Sequence, residues 1–437
     1  MFYQIRSTIL STTLLVLILG ASVFLAGSVY AKKTVVVFDC FNAAWEPFVP
    51  YLKDNIAEYE RLNPNVDIQM IGVGWGETKQ SLMVRSAAGD APDVMMLDAD
   101  WYFDLGRNGA LADLKDLATT EEFAEFDSQA LESGKIGNAF YTLPNMLVPW
   151  GVWTNNDLLK KYNVGVAQTW DEAYENAIKV RDQSNGKAFY MWTYSFPFDM
   201  DPHVLWEMWN FGVFPLEKLH EGEVGLNTPE AKVWLEWRRK MAKGGLIPGK
   251  GETISATRTL MFPNEQLVLA PDIVMIKGDM ERTNPKRWGD NKVLDGTIIA
   301  NPFPTVNKGD TQVVPIHTVT LAISSQSEVK EEAWKFAYWF STSQKVAEGY
   351  LWAAGGMAPS IRTQKKMLEK GGFYDNPYYA SALKQMKYLR RAPVNEHWST
   401  GAKLVIDAAN KAVYTDEPID DILEQAEATI KIVTGMK

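Results

Sequence analysis

The sequence predicts an α/β architecture built on a parallel sheet, and three observations lead to that class. Short β-branched or apolar runs recur at residues 34–38, 66–71 and 94–97, amphipathic helical spacing fills the intervals, and glycine or proline turns mark the joins. The first run, Thr34-Val35-Val36-Val37-Phe38, suits a strand buried on both faces. Phe48, Leu52, Ile56, Tyr59 and Leu62 then recur at three- and four-residue spacing, and Asn63-Pro64 closes that helix. The second strand runs into Gly72-Val73-Gly74-Trp75-Gly76, a helix follows from Glu77 toward Ala88, and Gly89-Asp90-Ala91-Pro92 leads to the third strand and Asp98-Ala99-Asp100-Trp101.

This βαβαβ order places ligands beyond the carboxyl ends of the strands. The three strand-end loops share that edge and carry Asn42 and Trp45, Trp75 and Glu77, and Asp98, Asp100 and Trp101. Farther along, Thr169-Trp170-Asp171-Glu172 forms a capping box and Thr228-Pro229-Glu230 places proline at the first helical position. Strands are expected at residues 267–270, 296–300 and 319–324, and two amphipathic helices over residues 333–340 and 419–433.

The bulk numbers bound the function. A chain of 437 residues is long enough for two or three compact units, and 46% hydrophobic with 22% charged residues fits a packed protein. A net charge of −10 gives no general positive field for nucleic acid. The first 31 residues hold one charge, Arg6, an apolar stretch and small residues at Val29-Tyr30-Ala31, so they read as a signal peptide for export to the periplasm or extracytoplasmic space. An uncleaved anchor is the competing reading, since residues 9–31 nearly span a bilayer. The single cysteine, Cys40, forbids an intramolecular disulfide and is expected as a half-buried strand thiol.

Catalytic and metal patterns fail one by one. In Gly72-x-Gly74-x-Gly76 the third glycine of a dinucleotide fingerprint is displaced, and the carboxylate of Glu77 would repel pyrophosphate. The stretch from Gly244 to Lys250 has phosphate-loop spacing but follows a helical pattern and lacks the magnesium-binding hydroxyl. His203, His220, His317 and His397 have no zinc-ligand spacing, and apolar Tyr102 and Phe103 break a calcium pattern at Asp98, Asp100 and Asp104. No serine stands in a nucleophile elbow, so neither an enzyme nor a cofactor is expected.

Sixteen tryptophans are the compositional outlier. Indole faces stack on the C–H patches of sugars while carboxylates accept the hydroxyls. Trp234, Trp237, Trp334 and Trp339 lie within amphipathic helical patterns and are expected in cores. Trp45, Trp75 and Trp101 fall on the strand-end edge, and Trp150, Trp206, Trp352 and Trp398 are candidates to face them. Trp206 and Trp352 suit packing equally well. Asn42, Asp100 and Asp272 are the hydrogen-bonding candidates, with Glu77 secondary.

Several blocks carry a family resemblance. They are Glu58-Tyr59-Glu60-Arg61-Leu62-Asn63-Pro64, Ala87-Ala88-Gly89-Asp90-Ala91-Pro92-Asp93-Val94, Gly137-Asn138-Ala139-Phe140-Tyr141-Thr142-Leu143-Pro144, Asn155-Asn156-Asp157-Leu158, Ala333-Trp334-Lys335-Phe336 and Gly355-Gly356-Met357-Ala358-Pro359. Through them the chain resembles family 1 extracellular solute-binding proteins, the group that includes maltose-binding protein. The resemblance implies a periplasmic binding protein-like II fold, two α/β lobes joined by a hinge of several crossings. One lobe would hold residues 32–149 plus 302–341, the other residues 150–301 plus 342–437. It also implies a monomer that traps a neutral sugar or oligosaccharide between the lobes and delivers it to the permease subunits of an ABC importer.

On the family pattern Asp100 would hold a sugar hydroxyl, Trp398 would stack on a ring, and Gly355 and Met357 would lie in a late block at the cleft. Trp101 stands where relatives carry arginine and Pro271-Asp272-Ile273 replaces a small-residue stretch, so the ligand need not be maltose. A betaine or other cationic amine is the alternative ligand, because indoles with nearby carboxylates also suit a quaternary ammonium. A glycosidase is a remote second.

Overall fold

The structure is a computed structural model that describes residues 32–98, 101–148, 150–191, 201–248, 257–315, 318–371, 375–390 and 397–436. The segment read as a signal peptide, and Asp100, lie outside them. The chain opens with β1 (Thr34–Asp39), α1 (Val49–Leu62), β2 (Val66–Ile71), α2 (Trp75–Ala88), β3 (Val94–Asp98) and α3 (Trp101–Arg107), in the order expected from the periodicity. After β4 (Leu143–Leu147) and β5 (Trp150–Asn155) come α4 (Trp170–Ser184), α5 (Asp201–Asn210) and α6 (Pro229–Lys243). Then follow β6 (Leu269–Ile273), α7 (Ile276–Thr283), β7 (Ile298–Asn301), β8 (Thr318–Ile323), α8 (Lys330–Thr342), α9 (Trp398–Tyr414) and α10 (Ile419–Val433).

Two main sheets result. The larger runs in the order β2-β1-β3-β8-β4 and the smaller β6-β5-β7. β1 pairs parallel to both β2 and β3, as the alternation requires. The later strand β8 runs antiparallel to β3 and β4, so the sheet is mixed. A returning strand enters from a long excursion through the second sheet, and no helical crossover fixes its direction.

The sequence blocks have local physical reasons. Gly89 ends α2 with φ +78°, a left-handed position that favours glycine, and Asp90 N–H donates to the Arg85 carbonyl at 2.9 Å. Asp93 accepts from Val37 N–H at 2.8 Å and from Ser327 Oγ at 2.6 Å, tying β1 to the turn after β8. Thr169 and Thr228 cap α4 and α6 through their side chains, as their patterns predict. Cys40 is fully buried rather than half-buried, with Sγ 3.6 Å from Met96 Sδ, and burial pushes its thiol up to about 12.

Trp234, Trp237 and Trp334 are buried in their helices and Trp339 is half-buried, its ring 5.2 Å from that of Tyr59. Around α4 to α6 the core is aromatic. Trp170 stacks on Phe211 at 4.4 Å and meets Trp237 edge-on at 4.9 Å. One ion pair is sealed inside it: Glu207 Oε1 accepts from Trp234 Nε1 at 2.6 Å and from Arg238 Nη1 at 2.5 Å, with both charged side chains 1% exposed.

Two stability predictions follow from this interior. Removing one partner of the sealed pair strands the other charge, so Glu207→Ala lowers unfolding free energy by about 3–5 kcal/mol in urea titration. A loss below about 1 kcal/mol would mean that water reaches Arg238. At the end of β1, burial raises the Asp39 carboxyl to about 6, opposed by Arg85 at 3.5 Å. The folded state then keeps a proton that the unfolded chain releases, so stability from this group falls as pH rises from about 4 to 6 and is level above. Asp39→Asn therefore gains on the parent protein by about 2–3 kcal/mol across that interval, and a pH-independent difference in midpoint would refute the assignment.

Candidate functional site

The parallel pairing of β1, β2 and β3 brings their carboxyl ends to one edge of the larger sheet. Cys40 N–H donates to the Ile71 carbonyl at 2.9 Å, so the loops after β1 and β2 leave the sheet side by side. Their approach is tight at Gly72, where a Cβ would come 2.1 Å from the Cys40 carbonyl oxygen. The loop after β1 turns at once into a short 3-10 helix, Phe41–Ala44, while Gly74 precedes α2 and makes Trp75 its first residue. β3 ends at Asp98, and α3 begins at Trp101.

These placements gather an aromatic group around one carboxylate. Trp75 Nε1 donates to Asp98 Oδ2. The Trp75 ring lies 5.4 Å from that of Trp101 at 41°, and Trp101 meets Phe41 edge-on at 6.0 Å. Trp75 is half-buried, Trp101 buried and Glu77 exposed in the first turn of α2. Asn42 is buried and its amide donates to the Tyr350 hydroxyl, which burial holds well above the ordinary tyrosine range.

Trp45 stays 44% exposed at the same edge and reaches beyond its own sheet. The guanidinium carbon of Arg282, on α7 after β6, lies 5.6 Å from its ring centroid. Arg282 is anchored to Asp279, which also accepts from Arg258 Nε at 2.6 Å, and Arg258 lies 3.8 Å from Asp272. Charges of alternating sign thus lead from the exposed Trp45 ring inward through Arg282, Asp279 and Arg258 to the buried Asp272.

The remaining candidates sit deeper. Trp150 opens β5, opposite Ile273, with no exposed surface. Asp272 is equally buried, and its carboxylate accepts from Ile273 N–H at 2.7 Å. Trp206 is fully buried and stacks on Phe303 at 5.3 Å, away from the strand-end group. Trp352 is half-buried and stacks on Tyr379 at 4.8 Å, whereas Trp398, the first residue of α9, is buried. Gly355 takes φ +75° with a Cβ position 3.1 Å from the Val274 carbonyl oxygen, and Met357 exchanges two 2.8 Å main-chain hydrogen bonds with Leu147. Residues 355–357 therefore join the end of β4 to the segment after β6.

Sequence reasoning missed four members of this arrangement. Asp98 stands on the strand-end edge read from the βαβαβ order but received no role there. Phe41 could have been found from the same position after β1. Tyr350 and Arg282 lie hundreds of residues from their partners, and no local pattern signals them. Among the described residues, no group of three or more His, Cys, Asp or Glu side chains is placed to hold a metal ion.

Comparison with known proteins bears on the family and the fold. A family model described as bacterial extracellular solute-binding protein matches residues 45–261. An Escherichia coli protein named as an ABC transporter periplasmic-binding protein is 21% identical over 315 residues, covering 70% of this chain and 68% of that one. Among solved structures, the GacH receptor of Streptomyces glaucescens, determined unliganded and with acarbose, aligns with TM-score 0.78 at 15% identity over 92% of this chain and 99% of its own. A substrate-binding protein of Listeria monocytogenes in complex with cycloalternan aligns with TM-score 0.75 at 18% identity over 93% and 100%. A maltose-bound T. maritima protein aligns with TM-score 0.76 at 19% identity over 92% and 100%. The sequence blocks, the family match over residues 45–261 and the shared fold agree, and through them the chain is similar to the bacterial extracellular solute-binding proteins.

Proposed function

We propose that this protein captures a neutral sugar or oligosaccharide outside the cytoplasm and hands it, chemically unchanged, to the permease subunits of an ABC importer. The observation that carries the reading is the group of Trp75, Trp101 and Phe41 around Asp98 at the carboxyl edge of three parallel strands. Flat aromatic faces suit the apolar C–H patches of a pyranose, and acidic oxygens suit its hydroxyls. The solved relatives with acarbose, cycloalternan and maltose support the same ligand class.

In this reading residues 32–149 with 302–341 form one lobe and residues 150–301 with 342–437 the other. Ligand favours the closed arrangement because only that state supplies contacts from both lobes. Trp75, Trp101 and Asn42 line the first wall, with Trp45 at the rim and Glu77 beside it. Trp150, Asp272, Gly355, Met357 and Trp398 belong to the second wall or its support, whereas Trp206 packs with Trp170 and Phe303 in the aromatic core behind it. Residues 1–31 serve as the export signal, and the protein works as a monomer.

Thermal-shift screening of the protein against mono-, di- and oligosaccharides, with glycine betaine alongside, tests the proposal. A sugar at a hundred times its Kd adds about 2.7 kcal/mol of stability and raises the midpoint. A shift with betaine and with no sugar would replace the ligand class, and turnover of a sugar would replace binding by catalysis. Asp100 is proposed, on the family resemblance, to accept a ligand hydroxyl. Asp100→Ala should weaken the best sugar roughly tenfold or more while leaving the unliganded midpoint nearly unchanged, and equal affinity by calorimetry would remove it from the site.

A further inference from the structure

The Trp75–Asp98 hydrogen bond does more than satisfy an indole. Trp75 is half-buried, so water could serve its N–H, and burial alone does not call for an acid at that point. Yet the acceptor is a carboxylate that is only 5% exposed, at the N–H edge of an indole that packs against a second one. A hydrogen bond from an N–H to a carboxylate is stronger and more directional than one to water, so it can fix the orientation of the ring.

The two ends of the bond also differ in stiffness. Asp98 closes a strand buried throughout, held between β1 and β8 and facing Val319 across the ladder. Trp75 follows the largely exposed link Gly72-Val73-Gly74, in which two of three residues lack a side chain. An indole at the start of a helix after such a link has rotamers to choose among, and Trp101 leans on whichever is chosen. The bond ties the less constrained ring to the most constrained strand end.

We infer that Asp98 is a positioning residue of the ligand site: its carboxylate fixes the Trp75 indole so that Trp75 and Trp101 present one preset aromatic wall. The inference rests on the binding reading above and adds to it a residue whose role is to hold the wall, with little surface of its own to offer a ligand. Presetting the wall removes an ordering cost from the binding step.

Asp98→Asn and Asp98→Leu test this with two readouts, one of which needs no ligand. In 15N-labelled free protein the Trp75 Nε1–H resonance, assigned by its loss in Trp75→Phe, moves upfield and exchanges faster with solvent in Asp98→Leu. Near-isosteric Asp98→Asn, which keeps a neutral acceptor, gives a smaller change in the same direction and guards against a folding defect. With maltose and acarbose as probes in calorimetry, Asp98→Leu weakens binding about three- to tenfold. Trp75→Ala added to Asp98→Leu then costs no more than Trp75→Ala alone, because the acid acts through the ring. An unmoved indole resonance in both variants, or additive losses in the double variant, overturns the assignment. Failure of the parent protein to bind either probe counts against the sugar reading, and the indole resonance then decides the role of Asp98 alone.

Discussion

Parallel pairing of β1 with β2 and with β3 directs three consecutive loops to one edge of the sheet, and that geometry constrains everything at the site. Side chains separated by dozens of residues in sequence become neighbours because each follows a strand of the same direction. The arrangement is tight. Cys40 N–H donates across to Ile71, and the place occupied by Gly72 leaves no room for a Cβ against the Cys40 carbonyl. A larger residue at Gly72 would push the β2 loop outward and carry Trp75 away from Asp98. The aromatic group therefore depends on main-chain proximity before any side-chain contact is made.

The two sheets are coupled through few but specific groups. Residues 355–357 pair with Leu147 on one side and abut Val274 and Met275 on the other. A Cβ at Gly356 would fall 2.1 Å from Met146 Sδ, so glycine is needed here for close passage. At the rim, Arg282 lies over the exposed Trp45 and is held through Asp279 to Arg258 and onward to Asp272 in β6. Opposite charges alternate along this row, so Arg282 is balanced from behind by Asp279 where it meets Trp45.

How much of this was legible follows from where the signals lie. The first three strands and two helices were readable because buried strands and amphipathic helices have local periodicities, and their order fixed the edge that carries Asn42, Trp45, Trp75 and Asp98. β4 and β5 escaped the periodicity reading. Leu143-Pro144-Asn145-Met146-Leu147 and Trp150-Gly151-Val152-Trp153-Thr154-Asn155 are buried throughout, yet proline, asparagine and glycine interrupt the apolar run that marks a strand. The direction of β8 was illegible because it depends on where a long excursion re-enters the sheet. Asn42 with Tyr350 and Trp45 with Arg282 are pairs across the whole fold, beyond the reach of any local pattern.

The tryptophans show the same limit from another side. Helical patterning sets Trp234, Trp237, Trp334 and Trp339 apart as core residues, but among the other candidates burial and partners separate the uses. Trp170, Trp237 and Trp206 pack with Phe211 and Phe303 among the helices that cover the smaller sheet, where each ring contributes apolar area to the core. Trp75 and Trp101 pack equally closely, but on strand-end loops and beside a carboxylate, and Trp45 is open to solvent over nearly half its surface. Trp234 in the core also donates to a buried acid, Glu207, which it shares with Arg238, so an acidic partner alone does not mark a wall residue. What sets Trp75 apart is that its indole and its acid both stand at the carboxyl edge of parallel strands, beside a second indole.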